Sequence, residues 1–355
     1  MLRVGPAGFE ETMDYFGHNR IKWTYATHRV DRSAVKGLVP MSEDPDPGRV
    51  VLGRVVAIGR HKEVEGTDGR KLMLFPGDVL AGTLAYRYAT DQYEGLPISS
   101  GPAAHLLSIG GVCGYVASKN EKMLDPTTLE WIGTLADAAG QPLRLRRFAL
   151  RPPRHVAAPR PRAVLVVGAS MNAGKTTTAA QLIRSLSGQG RRVAAAKLTG
   201  TACRKDPGMM EDAGALRVLD FTHLGHASTA NLAIPELLAL AADLRALLCE
   251  ERPEFVVYEI ADGIFQRETR LLLEDTAFRE TIDVVLYAAP ESPSCESGVR
   301  WLRERGYTVG AVSGMVANSR LGMEEVRAAT GVPCLNGQMI LDGALNAVLL
   351  PASVA

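Results

Sequence analysis

The run Gly168-Ala-Ser170-Met171-Asn172-Ala173-Gly174-Lys175-Thr176-Thr177-Thr178 has the residue types and spacing that speak most directly to chemistry. A five-residue apolar run, Ala163–Val167, precedes it and reads as a buried strand. Ala179–Leu186 follows with apolar residues at helical spacing. A strand, a glycine-containing turn and a helix opening on Gly-Lys-Thr is the context of a phosphate-binding loop. Backbone N–H groups from Met171 to Thr176 can converge on phosphate oxygens, and the positive end of the helix adds to the field. Lys175 would reach the β- and γ-phosphates, and the Thr176 hydroxyl would ligate Mg²⁺. The spacing departs from the usual pattern in one respect. Five residues separate Gly168 from Gly174, with Ala169 at the usual glycine position. The expected nucleotide contacts are Gly168, Ser170, Met171, Asn172, Ala173, Gly174, Lys175, Thr176 and Thr177.

Further reactive residues stand at the ends of later apolar runs. Arg192–Ala196 leads into Lys197, which could orient an anionic group, with a snorkelling lysine as the bland alternative. Asp212 follows fifteen residues later. Phe255–Ile260 carries Glu259 at its end, followed by Asp262 and Gly263. An acid there, beside a phosphate loop, is where a Mg²⁺-ordering carboxylate belongs, so Thr176, Asp212 and Glu259 form the expected metal set. Asp262 is the substitute. Val309–Met315 leads to Asn318, whose amide could read the N6 and N7 edge of adenine. Ser319-Arg320-Leu321 follows in place of a guanine-reading Asn-Lys-x-Asp, which points to ATP. His223 and His226 lack a third ligand in spacing, and Cys203 and Cys295 lack an adjacent base.

These residues resemble the dethiobiotin synthetase group of P-loop proteins over about residues 163 to 335. The shared features are the five-residue gap, Lys197-Leu-Thr-Gly200 against a family Lys-Pro-x-x-(Thr/Ser)-Gly, and Asp212-Ala-Gly-Ala-Leu216. Thr229-Ala-Asn-Leu-Ala233, Glu259-Ile-Ala-Asp-Gly263 and Val316-Ala-Asn318 complete the set. The resemblance implies that the loop binds ATP, that threonine, aspartate and glutamate hold magnesium, that the lysine acts near the substrate and that the asparagine meets adenine. Departures fall on the substrate side: Ile260 and Asp262 replace glycines, and Leu198 replaces the proline. The same half is similar to P-loop halves of the D-amino-acid N-acyltransferase type. Lys197, Asp206-Pro-Gly208 and Ala213-Gly-Ala215 are also similar to the molybdopterin-guanine dinucleotide biosynthesis adaptor.

The elements that must position this chemistry follow from the wider sequence. With 355 residues the chain is long enough for two domains, and 46% hydrophobic residues supply ordinary cores. From residue 163 to 355, strands and helical patterns alternate, including Val284–Ala288, Pro235–Cys249 and Gly298–Arg305. That predicts an α/β, doubly wound, mostly parallel sheet of the P-loop NTPase kind. Residues 1–150 predict a small β-rich barrel or sandwich, with strands at Val50–Ile58, Leu72–Phe75, Val79–Leu84, Gly111–Val116 and Leu143–Leu150. Turns are expected at Asp44–Gly48, Thr67–Gly69, Pro76-Gly77 and Ser100–Pro102. Tyr86, Tyr88 and Tyr93 read as half-buried strand aromatics, with a recognition surface beside Arg87, Asp91 and Gln92 as the alternative. Residues 151–162, rich in Pro and Arg, read as a solvated linker, with an RNA-contacting strip as the sharper alternative.

Charges nearly cancel, 40 basic against 39 acidic, so net charge gives no case for a nucleic-acid partner. Five cysteines with no Cys-x-x-Cys pair fit reduced thiols in the cytoplasm. Residues 1–20 do not read as a signal peptide, and Leu232–Leu248 carries charges unsuited to a membrane span. The expected cofactors are ATP and Mg²⁺, and the expected partner is a small acidic substrate, with a homodimer left open. The expected reaction is γ-phosphoryl transfer, as in a kinase or amide-forming ligase. Its rival is a nucleotide-switched adaptor whose first domain binds a partner.

Overall fold

The computed structural model describes residues 21–42, 46–98, 104–153 and 160–350. The reading of residues 1–20, the turn at Ser100–Pro102, the first residues of the turn at Asp44–Gly48 and the middle of the linker lie outside these. The chain divides into two compact units. One comprises Met1–Leu150, Thr201–Arg204 and Phe221–Ala230; the other comprises Arg151–Gly200, Lys205–Asp220 and Asn231–Ala355. The division therefore does not fall at a single point in the sequence.

The first unit contains β1 (Ile21–Trp23), β2 (Gly37–Val39), β3 (Val50–Ala57), β4 (Glu63–Glu65), β5 (Lys71–Met73) and β6 (Val79–Leu84). It continues with β7 (Tyr93–Leu96), β8 (Ala104–Leu106), β9 (Val112–Lys119) and β10 (Thr127–Ala136). Neighbours pair in the order β6-β3-β10-β8-β9, and β9 also pairs with β6, so five strands close a barrel. Side chains alternate along its strands. Val51, Val55, Leu80, Leu84, Ala104, Leu106, Cys113 and Leu129 join in one buried cluster drawn from all five strands. Val50, Leu52, Val79, Ala81 and Val112 face the other way, into a second cluster with Trp23, Tyr25 and Leu143. Tyr93 is fully buried, and its hydroxyl donates to the Leu124 carbonyl at 2.6 Å.

Three expectations in this unit are corrected. Tyr86 and Tyr88, expected as half-buried strand aromatics, lie between β6 and β7, and Tyr88 is exposed. The longest strand, β10, has no counterpart in the sequence reading. Its pairing with β3 slips at Thr128/Leu129 and again at Trp131/Gly133, which breaks the alternation by which strands are recognised. Leu143–Leu150, expected as a strand, instead makes one bridge at Arg144 and then a 3₁₀ turn, Leu145–Phe148. Its arginines serve the fold: Arg144 pairs with Asp46, and Arg147 with Asp137 at 2.6 Å.

The second unit is built on β11 (Arg162–Gly168), β12 (Val193–Lys197), β13 (Val218–Asp220), β14 (Phe255–Glu259), β15 (Val284–Ala288) and β16 (Val309–Ser313). All pair in parallel in the order β13-β12-β14-β11-β15-β16. The main helices are α1 (Lys175–Gly188), α2 (Lys205–Asp212), α3 (Ile234–Cys249), α4 (Arg267–Glu274) and α5 (Thr276–Glu280). α6 (Ser292–Glu304), α7 (Arg320–Thr330), α8 (Gly337–Leu341) and α9 (Asn346–Leu349) complete the unit. Val164, Val166, Val193, Ala195, Val257, Val284 and Leu286 pack on Leu182, Ile183 and Leu186 of α1. The alternate residues of the same strands are buried as well, which is why these strands read as continuous apolar runs. The chain leaves β11 towards β12 on one side and reaches β15 on the other. The point of reversal, at the carboxyl end of β11, is where such sheets bind ligands. Among the described residues no helix is long and apolar enough to cross a membrane.

Candidate functional site

β11 ends at Gly168 and α1 begins at Lys175, so the expected loop occupies the carboxyl edge beside the point of reversal. Its path demands small residues. Gly174 sits at φ 100°, and a Cβ there would meet the Gly314 Cα at 2.9 Å. Asn172 also holds positive φ, 58°, a conformation asparagine tolerates better than most residues. The Met315 N–H donates to the Ala173 carbonyl at 3.3 Å, so the end of β16 braces the loop. Ser170 contributes its carbonyl, which accepts the Lys175 ammonium at 2.7 Å. Lys175 is thus folded back over the loop and 7% exposed. Burial pulls its pKa down, and the fields of Glu259 and Asp262 oppose that.

A cluster of charge lies at the foot of the loop. The Thr176 hydroxyl donates to Glu259 Oε1 at 2.8 Å. Lys197 Nζ lies 3.8 Å from the same oxygen and donates to Asp206 Oδ2. Register explains the meeting, because Lys197 and Glu259 are direct partners across β12 and β14. Glu259 is 1% exposed, and burial raises its pKa, with Lys197 as the main opposing influence. Its second oxygen, Oε2, is buried without a hydrogen-bond partner. A buried carboxylate oxygen left bare is costly unless a ligand completes it.

These groups line a cavity of about 420 Å³ together with Met171, Asn172, Gly174, Thr177, Lys205, Met209, Ala261 and Asp262. Lys175, Thr176, Lys197 and Glu259 converge there. Asp212 does not: it is exposed at the last position of α2 and lines no part of the cavity. Its expected place is taken by Asp206 in the first turn of α2, six residues and about 9 Å of helix earlier. The signal was present as an acid directly before Pro207, which marks a helix start. Asn318 closes a 3₁₀ turn, Met315–Asn318, and is exposed outside the cavity. Gly168, Ser170 and Ala173 shape the loop without lining the cavity.

The donor set fits a hard divalent cation. Among the described residues no three His, Cys, Asp or Glu side chains group as a metal site. Thr176, Glu259 and Asp206 nevertheless offer a hydroxyl and two carboxylates, and Mg²⁺ takes few protein oxygens because it retains water and binds phosphate. Other candidates fall away. His223 and His226 belong to the first unit, where the His223 ring meets His28 edge-on at 4.8 Å. Burial pushes the Cys295 thiol up to about 12, which leaves it protonated and inert.

No family model matches the sequence, and no curated protein matches it. Among solved structures, the chain is similar to the signal recognition particle 54 kDa protein from Aeropyrum pernix in complex with GDP. Identity is 22% and the TM-score 0.38, over 52% of this chain and 44% of that one. It is also similar to the signal recognition particle receptor FtsY from Elizabethkingia anophelis, at 16% identity and a TM-score of 0.36, over 53% of this chain and 67% of that one. The chain thus spans less than half of the first of these structures. With a glycine-framed loop between β11 and α1, its lysine and threonine at the helix start, and a strand-end glutamate on the neighbouring β14, the second unit has the fold of a P-loop NTPase domain.

Proposed function

We propose that the second unit binds Mg²⁺-ATP and transfers the γ-phosphoryl group to an oxygen of a small acidic acceptor. The observation that carries this reading is the bare, buried Oε2 of Glu259, at the centre of Thr176, Lys197 and Asp206. Thr176, Glu259 and Asp206 would hold Mg²⁺, which supplies charge neutralisation on the phosphates when bound. The loop amides and α1 offer positive field to the nucleotide. Lys175 exchanges the Ser170 carbonyl for a phosphate oxygen, a stronger charge-assisted bond. Lys197, beside Asp206 and Glu259, would orient the carboxylate of the acceptor. Transfer to such a carboxylate yields an acyl phosphate that an amine can capture, as in a ligase. ATP is preferred over GTP because Ser319-Arg320-Leu321 offers no aspartate to read guanine.

The test is turnover. Purified protein with Mg²⁺-ATP is assayed for ADP release with and without panels of small mono- and dicarboxylates. At least one acceptor class should raise release by a hundredfold or more, on the order expected when an acceptor completes a phosphoryl-transfer site. Slow release unaffected by every acid would refute the transferase reading.

A further inference from the structure

The second unit holds another cavity, of about 460 Å³, which shares no lining residue with the phosphate-loop cavity. It lies between α3, α5 and β14, and its origin is in the sequence of α3. Leu237, Leu240, Leu244 and Leu248 of that helix are buried, whereas Ala241, Ala242 and Ala246 line the opening. These three short side chains line the space beside Tyr258. Tyr258 and Glu259 are consecutive residues of one strand and face opposite sides of the sheet. Glu259 serves the loop, and Tyr258 floors this second opening.

Two polar groups in it are not matched by an acid: Tyr258, and Arg245, which hydrogen-bonds the Cys249 thiol. Tyr258 is 3% exposed, yet its hydroxyl forms no hydrogen bond with any described residue. The hydroxyl is therefore left to whatever fills the cavity. Burial also pushes this phenol's pKa far up, so the hydroxyl remains a donor at every ordinary pH. Arg245 lines the same cavity, and its field acts on Tyr258. It forms no ion pair with any described residue; its neighbour is the Cys249 thiol. The remaining walls are Leu198, Leu238, Phe278 and the alanines. A volume of this size, mostly apolar with a few convergent polar groups, is that of a small-molecule site. A donor and a fixed positive charge without a matching acid select an anion, and the walls select an apolar body.

We propose that this cavity binds a small monocarboxylic acid with an apolar body of about six to ten carbons, its carboxylate held by Arg245 and the Tyr258 hydroxyl. The site is separate from the nucleotide site, and the proposal stands whether or not the loop transfers phosphate. The acid is a free solute: the cavity is a bounded pocket within one unit, sized for the whole molecule.

The probe is octanoate, titrated into the full chain by calorimetry, with octanamide as the uncharged isostere. Octanoate should bind saturably below millimolar concentration, and octanamide roughly tenfold more weakly or worse. Arg245→Gln and Tyr258→Phe should each weaken octanoate by about tenfold. Ala246→Trp, which fills the opening, should remove binding. If Ala246→Trp fails to fold, Arg245→Gln decides, because its side chain reaches solvent and its loss leaves the core intact. Octanoate that does not saturate, octanamide that binds as tightly, or head-group variants that bind like the wild type would each overturn the proposal.

Discussion

In the barrel unit the buried carboxylate of Asp46 accepts from Arg49 Nε at 2.5 Å and from Arg144 Nη2 at 2.8 Å. Glu65, 3% exposed in the same unit, takes the Arg204 N–H at 2.6 Å and faces the Cys203 thiol at 3.7 Å. In the sheet unit the carboxylate of Glu259 is buried as deeply, and one of its oxygens meets nothing. The difference separates two uses of buried charge. Where both oxygens are met by the protein, the charge fixes the fold. Where one is left, the fold bears a cost that a ligand can offset.

The largest effect that would break this comparison is at Lys175. Lys175→Ala should lower ATP turnover by about a thousandfold or more, as expected for a group that stabilises transition-state charge. Its melting temperature should stay within a few degrees of the wild type, because the lysine bonds only a loop carbonyl. A folded variant that keeps full turnover would remove the loop from the chemistry.

Next comes a matched pair of neutralised acids. Asp46→Asn should destabilise the barrel unit by about 3 kcal/mol, since Arg49 is left buried without its counter-charge. Glu259→Gln should leave the unliganded melting temperature unchanged or raised, because it removes a desolvated charge. It should also abolish the tightening of nucleotide by Mg²⁺. Denaturant titration of each variant, with and without Mg²⁺-ATP, separates the two. Equal destabilisation by both substitutions would erase the distinction between structural and functional charge.

A smaller effect sharpens the metal set. Asp206→Asn should weaken Mg²⁺-dependent nucleotide binding by roughly ten- to a hundredfold, the range for loss of a metal-ordering carboxylate. Asp212→Asn should leave it unaltered. Magnesium titrations monitored by a fluorescent nucleotide distinguish them, and the reverse result would return Asp212 to the site.

The smallest effect belongs to the barrel unit and to pH. Burial, with the charge of Arg87, lowers the pKa of His61 to about 3. Its Nδ1 hydrogen-bonds the Leu106 carbonyl at 3.2 Å. The folded pKa lies below the unfolded value of about 6.5. Between the two the unfolded chain therefore binds the extra proton, and stability falls as pH falls. The loss from pH 7 to pH 5 should be about 2 kcal/mol, and His61→Gln should flatten it. An unchanged slope in that variant would place the titrating group elsewhere.

What the sequence disclosed, and what it hid, follows the physics of each element. β11, β12, β14, β15 and β16 were legible because strands covered on both faces are unbroken apolar runs. β13, three residues long, carries too little pattern to be read. Lys197 and Glu259 were legible because they end such runs, and parallel register then brings them together without further instruction. Asp206 and Asp212 lie on one short helix, and which of them turns to the loop depends on where that helix starts. Helix starts are the least certain feature of a sequence reading. β10 was hidden by its two slips in register. The barrel's closure was hidden because the β6–β9 pairing joins residues 83–84 to 112–113, a contact that no local pattern announces.

The segments Thr201–Arg204 and Phe221–Ala230 that belong to the barrel unit have a consequence during synthesis. Ala202 and Ala227 sit in that unit's buried cluster, and the Ala202 N–H donates to the Ala227 carbonyl at 2.8 Å. A ribosome that has released only the first 150 residues has therefore not yet supplied a complete core. At about 5–20 residues per second, the nascent barrel waits on the order of several seconds for its last pieces. During that interval β11, α1 and β12 have already emerged. The barrel thus finishes folding after the phosphate loop has left the ribosome, although it begins first in the sequence.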